Sequence, residues 1–102
     1  MHKEKTLSML GMARKAGKLS MGHDMADKSI KAHKARLVIL CSDASKRLCE
    51  EFKKKVENED IPLIITEISM NEIHFSTGYK AGVMTLDDEN FAKRVIELLK
   101  EE

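Results

Sequence analysis

The run Arg36-Leu37-Val38-Ile39-Leu40-Cys41 constrains the fold more than any other part of this chain. Five consecutive apolar residues are bounded by polar ones on either side, too few for a helix and with no alternation between faces. That is the pattern of a strand covered on both sides. Such a strand needs a layer of other elements above it and another below. A chain of 102 residues is expected to supply them within one domain, burying roughly 65% of the surface its unfolded form exposes.

The flanking segments read as those layers. Leu7, Leu10, Ala13 and Ala16 recur every three residues and make a helix face, with Gly17 as a natural stop. Leu19-Ser20-Met21 is a short strand candidate. Gly22 then opens a second helix to about Ala32, whose inner stripe is predicted to be Ala26, Ile30 and His33. Ser42 and Asp43 can cap a third helix with Leu48, Phe52 and Val56 as its apolar stripe. Pro62 precedes a strand at Leu63-Ile64-Ile65. Ser69 caps a short helix carrying Ile73, and Gly78 ends it. Ala81 to Leu86 is a fourth strand. Asp87 and Asp88 cap the last helix, with Phe91, Val95, Leu98 and Leu99 inward. Strands separated by helices predict an α/β chain, a mixed sheet between helix layers.

Several function classes find no support in these residues. No stretch of 18 apolar residues is present, so no membrane span is expected. The first residues carry no apolar signal core, and Met1 is followed by His2, so neither secretion nor myristoylation is expected and a cytoplasmic protein is. Cys41 ends the apolar run and Cys49 falls in a helical stretch, so both read as small buried hydrophobes and not as a disulfide. His23-Asp24 is a dyad that metals use, but His2, His33 and His74 lack ligand spacing to it and no CxxC occurs, so neither a metal nor a cofactor is expected. There is no GxSxG, GxxxxGK[ST] or GxGxxG, so an enzyme is not expected either.

Charge points elsewhere. Net charge is +1, but residues 1–40 hold nine basic against three acidic side chains, a net of +6, while residues 41–102 hold nine against fourteen, a net of −5. A split of this kind hints at a polyanion-facing side. Its centre is the helix opened by Gly22, where Asp24, Lys28 and Lys31 at i, i+4 and i+7 share a face. The free amides of a first helical turn suit phosphate. Lys15 and Lys18 lie just upstream and Lys34 just beyond. The same spacing also describes an ordinary solvated helix face with an Asp–Lys pair. Farther on, Tyr79 and Lys80 follow the glycine stop, where an aromatic ring can stack on an unpaired base or pack at a strand edge.

These segments together resemble a known family. LGMARKAGKLSMGHDMADKSIKAHKARLVILCSDAS and IPLIITEISMNEIHFSTGYKAGVMTLDDENFAKRVIELL are similar to the bacterial YlxQ-type ribosomal-protein family. That family lies within the kink-turn-binding L-seven-Ae/L-thirty-e superfamily. The resemblance covers nearly the whole chain. It implies a three-layer α/β/α sandwich with a four-stranded mixed sheet, and a non-catalytic partner of structured RNA: ribosomal RNA, a kink-turn, or the ribosome; separately, a monomer is expected. It also implies an RNA face built from the start of the second helix, the loop after the apolar strand and the loop before the last strand. The residues it nominates are Gly22, His23, Asp24, Met25, Lys28, Ser42, Asp43, Tyr79 and Lys80, with Lys15, Lys18, Lys31 and Lys34 meeting phosphates. The strongest RNA binders carry G-x-N-E-x-x-K at the second helix. Gly22 and Lys28 match it, while Asp24-Met25 stand in place of the base-reading Asn-Glu. Asp offers only acceptors and Met no strong hydrogen bond. That absence, with the acidic second half, motivates an alternative reading as a protein-interaction module on the same fold.

Overall fold

A computed structural model describes residues 1–101. In chain order it runs α1 (Lys3–Lys15), β1 (Leu19–Met21), α2 (His23–Lys31), β2 (Leu37–Leu40), α3 (Lys46–Val56), β3 (Leu63–Ile65), α4 (Met70–Thr77), β4 (Val83–Leu86) and α5 (Glu89–Lys100). The four strands form one sheet in the order β1-β4-β2-β3. β4 is antiparallel to both β1 and β2, and β3 is parallel to β2. The apolar run therefore occupies an interior strand, as its composition demands.

Both faces of β2 are covered by helices. Leu37, Ile39 and Cys41 pack with Leu10 and Ala13 of α1, Ile73 of α4, and Ala92 and Val95 of α5. Val38 and Leu40 point the other way, onto Ala26 and Ile30 of α2 and Phe52 of α3. Phe52 is fully buried and anchors this smaller layer, a contribution of about 2–3 kcal/mol. The architecture is the α/β/α sandwich with a mixed sheet that the resemblance implied.

Several local expectations are displaced. Ser45, not Ser42 or Asp43, caps α3, its hydroxyl accepting the Leu48 amide at 3.1 Å. Asp43 is committed instead to another helix, where its carboxylate accepts the Met70 N–H at 2.9 Å. Asp88 caps α5 through the Phe91 amide, while Asp87 turns back toward β1 and α2. His33 is exposed in the left-handed region (φ 59°) just beyond α2, and Ser29 takes the inner position predicted for it. Ala16 is exposed as well; Thr6, Leu10 and Ala13 are the buried residues of α1. Cys49 is half-buried, whereas Cys41 is buried as expected. The Ser69 capping box and the left-handed Gly78 (φ 82°) bracket α4 where the sequence puts them.

Candidate nucleic-acid interface

The C-terminal ends of β1 and β2 and the start of β4 lie at one end of the sheet, and the nominated tip residues collect there. The Gly22 amide donates to Val83 O at 2.9 Å, and the Cys41 amide donates to Gly82 O at 2.9 Å. This pins the start of α2 and the loop after β2 to the same end of β4. Gly22 is the N-cap of α2 at φ 90° and ψ 166°, a region other residues rarely adopt. With no side chain at the cap, no side-chain hydrogen bond closes the first turn, and its leading amides stay open to a ligand.

Tyr79 stands beside this opening. A methyl group built on Gly22 would meet the phenol oxygen at 3.7 Å. The Arg14 guanidinium lies over the Tyr79 ring, 5.3 Å from its centroid, and Arg14 Nη1 reaches Met21 Sδ at 3.3 Å. Tyr79 is 47% exposed, so one face of its ring is held by Arg14 while the rest meets solvent. Arg14 was not among the nominated residues. It is separated from Tyr79 by most of the chain, and its local setting is that of any basic residue near a helix end.

A second group lines the flank between α2 and the edge strand β1. Lys18, Met25, Lys28 and Lys34 border a cleft of about 500 Å³, with Ser20, Ser29 and Asp87 also lining it. Lys18, Lys28 and Lys34 take part in no ion pair among the described residues. Lys15 and Lys80 are exposed, Lys15 in the last turn of α1 and Lys80 in the loop before β4. Met25 is half exposed and the Asp24 side chain fully so. Ser42 and Asp43 are exposed at the sheet's end, where the Ser42 amide donates to Ile68 O.

Two nominated side chains face away from this surface, toward α3. His23 Nε2 donates to Glu51 Oε2, its Nδ1 lies 3.1 Å from Asp24 Oδ1, and its ring meets the Phe52 ring edge-on at 5.5 Å. The Glu51 carboxylate, and then Asp24, holds the imidazole above its usual range; His23 in turn holds Glu51 below the usual carboxylate range. Lys31 pairs with Asp27 at 3.0 Å, and Lys55 of α3 reaches the same carboxylate at 2.8 Å. The hydrogen bond that the Lys55 ammonium donates to the Asp27 carboxylate is the main cause of both the lowered Asp27 pKa and the raised Lys55 pKa. The expected common face of Asp24, Lys28 and Lys31 therefore divides. Lys28 lines the β1-side cleft, and Lys31 belongs to a charged seam that locks α2 onto α3. Burial pushes the Cys41 thiol up to about 12, which leaves it protonated and inert at neutral pH.

Known proteins resemble this chain in sequence and shape. A sequence model of the Ribosomal protein L7Ae/L30e/S12e/Gadd45 family matches residues 4–90. The chain is 29% identical over 99 residues to the RNA-binding protein YlxQ of Enterococcus faecium, covering 97% of this chain and 95% of that one. It is 33% identical over 92 residues to the RNA-binding protein YlxQ of Bacillus subtilis (strain 168), covering 89% and 91%. A structure of a protein of unknown function from Bacillus halodurans C superposes with a TM-score of 0.88 at 26% identity, over 95% of this chain and 98% of that one. The 15.5kD RNA binding protein of Giardia lamblia superposes at 0.77 with 16% identity, over 96% and 87%, and so shares the fold. With the fold, the matched span and these relatives in agreement, the chain belongs to the L7Ae/L30e/S12e/Gadd45 family, as a YlxQ-type member.

Proposed function

We propose that this protein is a non-catalytic RNA-binding protein of the cytoplasm, acting as a monomer on structured ribosomal or kink-turn-like RNA. The observation that carries the reading is the open N-terminus of α2 at Gly22, set between the Tyr79 ring and the Lys18–Lys28–Lys34 cleft. Leading amides and the positive end of the helix dipole suit a phosphate, and the lysines extend the grip along the backbone. Tyr79, backed by Arg14, offers a stacking face to an unpaired base. A-form RNA hides its bases in a narrow major groove, so a blunt helix tip reads them only where the strand kinks open. The family name and the relatives' names support RNA as the partner.

Asp24 and Met25 set the limit of this site. Both are exposed at the helix tip and neither supplies the paired donor and acceptor of an Asn-Glu reader. The backbone grip is therefore stronger than the base readout. The test is titration of wild type and Lys28→Glu against a kink-turn RNA and ribosomal RNA fragments at several salt concentrations. Lys28→Glu should weaken binding, and its log–log salt slope should be shallower by about one. The double substitution Asp24→Asn with Met25→Glu should raise kink-turn affinity. Equal, salt-insensitive binding by wild type and Lys28→Glu would refute the proposal.

A further inference from the structure

The cleft beside α2 has a floor whose chemistry is not that of a plain phosphate site. Asp87 Oδ2 accepts the Ser20 hydroxyl at 2.5 Å, and Oδ1 accepts those of Ser29 at 2.5 Å and Thr85 at 2.8 Å. These hydrogen bonds tie β1, α2 and β4 to a single carboxylate. A hydroxyl has one proton to give, and here each is directed at Asp87. What Ser20, Ser29 and Asp87 present to the cleft is therefore lone pairs, while the rim presents the ammonium groups of Lys18, Lys28 and Lys34. A matching ligand must carry an anionic group and, close to it, a hydrogen-bond donor. A DNA backbone brings the anion without a sugar donor; a ribonucleotide brings both, a phosphate and a 2′-hydroxyl. The cleft's volume, about 500 Å³, is within the range of small-molecule sites.

We propose that this cleft is a ribose-reading subsite, taking one nucleotide of the bound RNA with its phosphate against Lys18, Lys28 and Lys34 and its 2′-hydroxyl donating to the Asp87 carboxylate. The inference rests on the RNA-binding reading above and deepens it. It assigns Asp87 the task of telling RNA from DNA at a position that needs no base recognition, which fits a helix tip poor in base-reading groups. The lysines fix where the phosphate sits, and the three tethers on Asp87 fix where the acceptor sits. The tethered carboxylate does not need to rearrange on binding, while the exposed lysines order around the phosphate.

The test is a fluorescence-anisotropy titration of the full chain with a labelled kink-turn RNA and with a series carrying a single 2′-deoxy substitution at each nucleotide in turn. At one nucleotide the substitution should weaken wild-type binding by about tenfold, the loss expected for a hydrogen bond to a charged acceptor. In Asp87→Ala that penalty should vanish, whereas a penalty arising within the RNA fold would persist. Because Asp87 ties three elements together, Asp87→Asn, which keeps the shape, is measured alongside with circular dichroism; its penalty should fall to about threefold or less. The subsite is overturned if no nucleotide shows a penalty, or if the penalty is the same in wild type and the Asp87 variants. Failure of wild type to bind this RNA or ribosomal RNA fragments would instead overturn the RNA-binding reading together with the subsite.

Discussion

Gly22→Ala separates backbone strain from crowding at the helix tip. A methyl group at this position would meet Tyr79 at 3.7 and 3.8 Å, ordinary contact distances, so sterics with neighbours cost nothing. The backbone itself is the obstacle. At φ 90° and ψ 166° the residue occupies a region reserved almost entirely for glycine, and holding an L-residue there costs about 1–3 kcal/mol. The Val83 O hydrogen bond and the following helix prevent an easy escape to another conformation. For a domain of this size, about 2 kcal/mol corresponds to a fall in Tm of roughly 8–16 °C. Gly78 provides the comparison. It also has positive φ (82°), with ψ 3°, and nothing lies within 4 Å of its added methyl. That is the left-handed helical region, which asparagine tolerates. Asn should therefore restore most of the loss from Gly78→Ala and none of the loss from Gly22→Ala. Thermal melts of the four variants by circular dichroism measure this, and anisotropy with a kink-turn RNA should show Gly22→Ala binding more weakly. If Gly22→Asn is as stable as wild type, or Gly22→Ala melts within a degree or two of it, the assignment of strain to this backbone is wrong.

Two other expectations follow from titration and burial. His23 has its pKa raised by Glu51 and Asp24, so its pairing stabilises the fold fully below the ordinary histidine range and is lost as pH rises through the higher folded value. Urea midpoints should accordingly fall between pH 6 and pH 8 in wild type by more than in His23→Gln; parallel curves for the two proteins would count against the α2–α3 brace. Cys41, with its thiol pushed up to about 12 by burial, should resist a maleimide in the native protein while half-buried Cys49 reacts; mass spectrometry showing Cys41 labelled first would contradict the packing of β2.

What was legible in the sequence follows a physical division between local and non-local information. The buried strand, Gly22, the Ser69 cap and the Gly78 stop were readable because each is set by residues within one turn or one strand of itself. The Ser42-Asp43-Ala44-Ser45 stretch shows where that ends. Three of its four residues are competent helix caps, and local chemistry does not choose among them. The choice falls on Ser45 because Asp43 is taken by the Met70 amide, on an element far along the chain. The site divides in the same way. Its lysines and its glycine are visible as a basic, helix-opening stretch, but the direction of each long side chain is decided by what α3 and β1 put beside α2. The carboxylates of Glu51 and Asp27, which Lys55 also pairs with, draw His23 and Lys31 to one flank; the cleft along β1 holds Lys18, Lys28 and Lys34 on the other. Arg14 carries no local mark and Asp87 a misleading one, that of a helix cap, since each acquires its role from a partner more than fifty residues away. A helix that is basic in sequence thus becomes two-sided in space: one flank spends its charge on holding the protein together, and the other leaves it free for a polyanion.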